Sequence, residues 1–507
     1  MSTLRLPAPA TRPANLSLRS WLHGGPAPRA EQPASFSVLE VGSGGGENLL
    51  PLAFYDPSGR YVGVEPDGEQ LEKARARASL AGVANLRFEG ALELDDGAEF
   101  EVVLVRDGAL RATATDLKAL VERVSRHLAA DGLLYLEGPV LPGAGVDALV
   151  GELVRATARD DTDDALRASV ASLREVIARP SHPYPNLVAL ELAGAADLPS
   201  DELRRRASSS ARLFFREIVE LAGAAELRWI CDAERDESAI VEALREELAS
   251  RGASGVGLEQ AIDILCYRRR RASIFCRADA PSAPRPGLDA LDRLFIASSL
   301  TAVNDPPRLG PGLEEAFTSV DGARITSVDP LLKASLLALR ASSPRPLSFA
   351  ALMGAAVQRL RDSGAEGEPD DELVAGVARD LWALYARGLV DLHFAPGPEP
   401  TTGSTLHALA RVEAAERATL TTPYHTLATL EGFDAALAKN LAALTDAGVG
   451  DDALVGAMMS SVLSGEIPLE IGGQRIADPT LLEPLVRALG KRGLATLERF
   501  GLIAPPR

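Results

Sequence analysis

Val38-Leu39-Glu40-Val41-Gly42-Ser43-Gly44-Gly45-Gly46-Glu47-Asn48 is the stretch that decides the fold. Ser37–Val41 is a short apolar run, the pattern of a strand buried on both faces. The glycines after it let the chain turn sharply and bring its backbone close to a ligand. Glu47–Tyr55 then reads as a helix, with Pro51 tolerated because it lies near the first turn. Further out, Arg60–Val64, Asn85–Phe88, Phe100–Val105 and Gly132–Leu136 read as strands, and Glu69–Ala81 and Asp116–Leu128 as helices. This alternation predicts an α/β domain, a Rossmann-like doubly wound sheet over residues 36–145. Its ligand is expected outside the carboxyl ends of the strands.

Three kinds of glycine turn compete for this position. A P-loop needs a Lys-Ser/Thr pair after its glycines, and none follows here. A dinucleotide fingerprint needs G-x-G-x-x-G, but counting from Gly42 puts Glu47 at the third glycine. That would also set a carboxylate where a pyrophosphate approaches the helix N-terminus. The pattern E-x-G-x-G-x-G is met in full by Glu40, Gly42, Gly44 and Gly46. It suits S-adenosylmethionine, which has no phosphate and carries a sulfonium cation. Glu65, followed by Pro66, closes the second strand about 20 residues past the turn, where a carboxylate accepts hydrogen bonds from ribose hydroxyls. The cofactor set predicted from the turn is Glu40, Val41, Gly42, Ser43, Gly44 and Gly46, with Glu65 and Pro66.

The remainder of the chain is different in texture. Residues 1–35 are rich in Pro, Ala and Arg and predict a loose segment with a short helix around Leu16–Leu22. Residues 146–282 predict a helical middle domain, with helices over Val146–Ala158, Asp163–Ala178, Ser200–Leu221 and Ser238–Arg251, and an extended Tyr267–Ala278. Pro-rich Ala280–Gly287 reads as a linker. Residues 283–398 combine three helices with short strands, a winged-helix-like module whose helices are not basic. A second Pro/Gly/Thr linker leads to a C-terminal helical domain, residues 399–507.

Of the 507 residues, 46% are hydrophobic and only 5% aromatic, so Leu, Ala and Val must build the cores. A net charge of −18 argues against a nonspecific nucleic-acid or anionic-membrane binder. No apolar run approaches the ~20 residues of a membrane span. The three cysteines, Cys231, Cys266 and Cys276, lack metal-ligand or redox spacing and fit a reducing cytoplasm. No metal site is predicted, since the six histidines have no partner motif, His182 and His425 included.

Val38 to Ala53, VLEVGSGGGENLLPLA, together with YVGVE at Tyr61–Glu65, resembles the class I methyltransferases that carry a methyltransferase regulatory domain. That group includes the rickettsial outer-membrane-protein lysine methyltransferases. Asn48, Leu49, Pro51 and Ala53 keep its pattern. Phe214–Val219 is similar to its Y-F-H-E-F-V string, and Asp263–Cys276 to its Arg-rich string, here Arg268–Arg271. Those arginines are expected on a strand, alternately buried and solvated, paired with local carboxylates. The resemblance implies an S-adenosylmethionine-dependent methyltransferase acting on a protein lysine or other amine. It adds Asn48, Gly90, Ala91, Arg106 and Asp107, at turn and strand ends, to the cofactor-binding set.

Departures cluster on the acceptor side. Gly90-Ala91 replaces the family's Gly-Asp, Arg106–Arg111 lacks its aromatic wall, and residues 1–35 show no clear Y-P-x-x-x-P motif. Asp107 and Glu137 are the candidate general bases, and no catalytic residue is assigned. The alternative is a catalytically degenerate methyltransferase-fold protein that acts as a binding or regulatory partner. In either case the C-terminal domains are expected to meet a protein substrate or partner.

Overall fold

The computed structural model describes residues 7–28, 35–94, 97–106, 114–145, 153–154, 156–160, 162–177, 212–234, 239–319, 322–364, 369–397, 401, 403, 405–444, 451–471, 474–476 and 478–504. Asp107, His182 and parts of the helices expected over Val146–Ala158 and Ser200–Leu221 lie outside them.

Helix α1, Pro13–Leu22, precedes the sheet domain. Strand β1 is Ser37–Val41, and helix α2, Leu49–Tyr55, follows the glycine turn. Then come β2 (Arg60–Val64), α3 (Gly68–Leu80), β3 (Leu86–Glu89), β4 (Phe100–Val105), α4 (Ala114–Ser125) and β5 (Leu128–Pro139). Asp67 caps α3 by accepting from the Glu69 and Gln70 amides, which stops the strand-to-helix turn at a defined residue. The middle region supplies α5 (Asp163–Ile177), α6 (Phe215–Ala224), β6 (Leu227–Asp232), α7 (Ala239–Ser250), α8 (Gly255–Leu265) and β7 (Arg270–Arg277).

The sheet has seven strands in the order β3-β2-β1-β4-β5-β7-β6. β1 to β5 run parallel, and β7 lies antiparallel between β5 and β6. The expected boundary at residue 145 is therefore corrected. Residues 227–232 and 270–277 complete the same sheet, so the middle region is not purely helical. Leu227–Asp232 alternates weakly, which is why it gave no clear strand signal.

Alternate residues of each strand face opposite sides. Val38, Tyr61, Val102 and Tyr135 pack under α1, α2 and α3, while Leu39, Val62, Val103 and Leu134 pack under α4 and α6. The expectation of a loose N-terminal segment fails for residues 7–28. Leu16 of α1 is 1% exposed in the sheet core, and Leu18 is 2% exposed in the core of the next unit. A helix carrying side chains into two cores cannot be loose.

That next unit holds β8 (Phe295–Ala297), β9 (Thr301–Ala302), β10 (Glu315–Thr318), β11 (Arg324–Ser327), α9 (Pro330–Ser342), β12 (Leu347–Ser348), α10 (Phe349–Asp362), α11 (Asp371–Ala386) and β13 (Asp391–His393). Its sheets are β12-β8-β13 and β11-β10-β9. The C-terminal unit contains α12 (Ala408–Glu416), β14 (Thr419–Thr421), β15 (Leu427–Thr429), α13 (Gly432–Ala443), α14 (Asp451–Ser464), β16 (Glu470–Ile471), β17 (Gln474–Arg475) and α15 (Pro479–Arg499). No helix among the described residues is long and apolar enough to cross a membrane.

Of the arginine run, Arg268 and Arg269 precede β7 and are both half-buried, and only Arg270 and Arg271 alternate on the strand as expected. Arg270 leans outward to Glu137 at 2.5 Å, with its side chain 46% exposed. Arg271 points inward, 3% exposed, and pairs with Asp232 at 2.7 Å, Asp263 at 2.7 Å and Glu259 at 2.8 Å. Its guanidinium also stacks 3.7 Å from the Phe215 ring centroid. Arg271→Ala leaves buried Glu259 and Asp263 without this cation. It should lower stability by about 3–5 kcal/mol in guanidinium unfolding, and a loss below about 1 kcal/mol would contradict the buried cluster.

Candidate functional site

β1 ends at Val41, and the chain then turns through Gly42, Gly44 and Gly46 with φ of +80°, +57° and +76°. Only glycine adopts this region freely. A Cβ at Gly46 would come 2.8 Å from Phe88 Cζ. The Gly42 and Ser43 amides both donate to the Val64 carbonyl, at 2.9 and 3.2 Å, which straps the turn to the end of β2. The Ser43 hydroxyl is buried and has no hydrogen-bond partner among the described residues.

Glu65 at the end of β2 braces the same turn. Its carboxylate accepts from the Gly44 amide at 2.6 Å and the Asp67 amide at 3.0 Å. Each carboxylate oxygen keeps a second lone pair, so Glu65 can still accept from a ribose. Pro66, Gly90 and Ala91 lie exposed beside it at the ends of β2 and β3. The expected residues at β1, the turn, β2 and β3 thus converge on one edge of the sheet. Asp107 is outside the described residues.

Arg106 is engaged by two carboxylates, Glu40 and Glu137. Glu40, 0% exposed, accepts from Asn48 Nδ2 at 3.2 Å and pairs with Arg106 at 3.6 Å. Arg106 in turn bonds Glu137 at 3.3 Å, and the Tyr135 hydroxyl donates to Glu137 at 3.2 Å. Burial opposes the Arg106 charge, but Glu40 and Glu137 outweigh it and raise its pKa. Burial alone would raise Glu137, but Arg106 and Arg270 hold its carboxyl below the usual range. Glu137, one of the two candidate general bases, is thus an engaged carboxylate rather than a solvated one.

Asn48 stands at the N-cap of α2 but makes no side-chain cap bond. Its carboxamide is spent elsewhere. Oδ1 accepts from the Ala8 amide at 3.1 Å and the Thr11 hydroxyl at 2.9 Å, and lies 3.1 Å from His425 Nε2. A buried polar chain therefore runs from the C-terminal unit through Asn48 and Glu40 to Arg106 and Glu137. Sequence reasoning missed Thr11 and His425. The signal was Pro9 and Pro13, which keep the P-x-x-x-P spacing without its aromatic residue. His425 left no local signal, because its partner is 377 positions away.

A second link joins the C-terminal unit to this domain. Arg77 donates to the Gly45 carbonyl at 2.8 Å and pairs with Glu47 at 3.3 Å and Glu416 at 3.3 Å. His407 Nε2 lies 3.0 Å from the Tyr55 hydroxyl, while its Nδ1 accepts from the Ala410 amide at 3.0 Å. Tyr55 donates to the Thr421 carbonyl at 2.8 Å, so Nε2 carries the His407 proton. No group of three or more His, Cys, Asp or Glu suited to a metal occurs among the described residues.

Burial lowers His407 to about 4 and His425 to about 3. Both folded values lie below the unfolded value of about 6.5. The stability that rests on neutral imidazoles is whole above pH ~6.5 and is lost as pH falls through about 4 for His407 and about 3 for His425. Protonating His407 Nδ1 would also break the cap of α12. The unfolding midpoint should therefore fall steadily below pH ~6.5. A profile as steep in the His407→Gln, His425→Gln double variant would contradict this origin.

Comparison with known proteins agrees with this geometry. A family described as a methyltransferase domain matches residues 39–134. An uncharacterized protein of Rickettsia prowazekii is 21% identical over 378 residues, covering 70% of this chain and 67% of that protein. PKMT2 from Rickettsia typhi superposes with a TM-score of 0.81 at 16% identity, covering 98% of this chain and 99% of that one. Its complex with AdoHcy gives a TM-score of 0.80. A tRNA (guanine-N(7)-)-methyltransferase of Rhizobium etli is 42% identical over 55 residues, 11% of this chain and 24% of that enzyme. The chain carries a methyltransferase domain of the class I fold at residues 39–134, within a whole-chain architecture that resembles the rickettsial PKMT2.

Proposed function

We propose that the chain is an S-adenosylmethionine-dependent methyltransferase whose acceptor is an amine, a protein lysine foremost. The observation that carries it is the E-x-G-x-G-x-G turn, built with three left-handed glycines and braced by a buried Glu65. The methyltransferase-domain match and the likeness to a protein solved with AdoHcy support the cofactor.

When bound, the cofactor supplies an electrophilic methyl group on a sulfonium. The chain's task is to hold the two reactants in line and to take a proton. Glu40 and Glu65 place negative charge beside the turn, which favours a cation there. Arg106 pairs with Glu40 and limits that field.

The amine reading rests on a second feature of the same edge. A cavity of about 360 Å³ lies between the N-terminal segment, the end of β6 and the unit containing α11. Its wall includes Pro9, Arg19, Glu234, Tyr385 and Asp391. Two carboxylates and a tyrosine ring suit an ammonium group. Partial desolvation, followed by the charge of Glu137, raises the Glu234 carboxyl above its ordinary value. In this reading Glu234 would take the proton that an acceptor ammonium must lose before its nitrogen can accept the methyl group. The winged-helix-like and C-terminal units, residues 283–398 and 399–507, border this entrance and the turn, and they select the acceptor.

Calorimetric titration should show micromolar binding of S-adenosylmethionine and S-adenosylhomocysteine. Gly44→Val should abolish it, and Glu65→Ala should weaken it by about 1.5–3 kcal/mol, roughly 10- to 100-fold. Folded protein that binds neither compound would overturn the proposal. With lysine peptides kcat should rise with pH as Glu234 deprotonates, and Glu234→Gln should lower kcat and remove that limb. Tight cofactor binding with no transfer to any amine would instead favour the non-catalytic partner.

A further inference from the structure

A second cavity, of about 290 Å³, lies along α2 on the side away from the glycine turn. Phe36 and Asp56–Ser58 on its wall precede β1 and β2, so it sits at the amino ends of the strands, whereas the cofactor turn leaves their carboxyl ends. Phe36, Tyr55, Tyr61 and Phe394 make its wall largely aromatic, and His393 and His425 close it. Its volume is near the lower end of small-molecule pockets, about 300–1,000 Å³.

The cavity holds one cation, Arg12. The Arg12 guanidinium lies 3.4 Å from His393 Nδ1 and 6.0 Å from the Tyr424 ring centroid. No carboxylate among the described residues pairs with it. Burial lowers its pKa, and its titratable neighbours Tyr424 and Tyr61 are phenols, Tyr61 being held neutral by burial and by Asp56. Asp56 lines the same cavity but is spent on its own neighbours. Its Oδ2 accepts from the Phe36 amide at 3.1 Å and the Tyr61 hydroxyl at 2.8 Å, and its Oδ1 from Ser58 at 3.2 Å. The histidine facing this space from the C-terminal unit, His425, is held neutral by burial. Arg12 is half-buried and has no paired counter-charge among the described residues, which leaves its guanidinium donors for an anion to complete. Its planar fork matches a carboxylate.

We infer that this cavity is a ligand site distinct from the cofactor crevice, taking a small organic carboxylate with an aromatic body, its carboxylate on Arg12 and its ring between Phe36, Tyr55 and Tyr61. The site does not depend on methyl transfer. His425, which reaches Asn48 at 3.1 Å, places the occupant one residue away from the cofactor turn.

The test is calorimetric titration of the full chain with benzoate, phenylacetate and 3-phenylpropionate, against the neutral phenylacetamide. At least one carboxylate should bind at millimolar or lower concentration. Phenylacetamide, and Arg12→Gln with any of the acids, should bind at least roughly tenfold more weakly, the scale of one charge-assisted hydrogen bond. S-Adenosylhomocysteine should not displace the acid. Folded protein that binds none of the three acids, or binds the amide as well as the acid, would overturn the inference. So would displacement by S-adenosylhomocysteine, which would make the cavity part of the cofactor crevice. The amide comparison decides the matter even where Arg12→Gln fails to fold.

Discussion

A carboxylate with no contact to solvent has to be answered by donors, and Glu40 at the end of β1 is 0% exposed. Left alone it would be prohibitively costly. Asn48 and Arg106 answer it, and the choice of Asn48 has consequences across the molecule. Its amide nitrogen faces Glu40, so its oxygen is left to collect the Ala8 amide, Thr11 and His425. One carboxamide thereby sets the N-terminal segment and the C-terminal unit against the glycine turn. The local cost is an α2 that begins without its side-chain cap.

The same edge of the sheet continues as alternating charge. Arg106, Glu137 and Arg270 follow Glu40, and the buried Arg271 beside Arg270 on β7 pairs with Asp232 at the end of β6. A chain with a net charge of −18 concentrates cations where carboxylates are buried. In the arginine run, Arg268, Arg270 and Arg271 are each engaged by local carboxylates. Against burial, Arg106 and Arg270 hold the Glu137 carboxyl below the usual range, and under the proposed function the proton goes to Glu234, whose carboxyl lies above it.

The sheet domain was legible because its signals are local. The glycine turn, Glu65 and the strand-helix alternation each fall within a few residues, and their periodicity follows from burial on both faces. What was not legible depends on distant contacts. The short helix around Leu16–Leu22 was expected, but its segment read as loose because an Ala/Pro-rich stretch carries no strong pattern, yet Leu16 and Leu18 enter two different cores. Strand β6 hid because its pairing partner β7 lies some forty residues on and runs antiparallel. Arg106 stood at the expected strand end, but nothing nearby in sequence shows that Glu40 and Glu137 claim it. His425 and His407 are single residues in a loop and at a helix cap, and only the docking of α12 against α2 and α3 gives them partners.

The central claim is that Asn48 couples the cofactor turn to chain segments far from it in sequence. Hydrogen exchange of the full chain, with and without S-adenosylhomocysteine, tests it most directly. The account predicts slower exchange at residues 42–48 together with residues 8–12 and 421–426. Slowing confined to the strands and turn of residues 36–106 would contradict it.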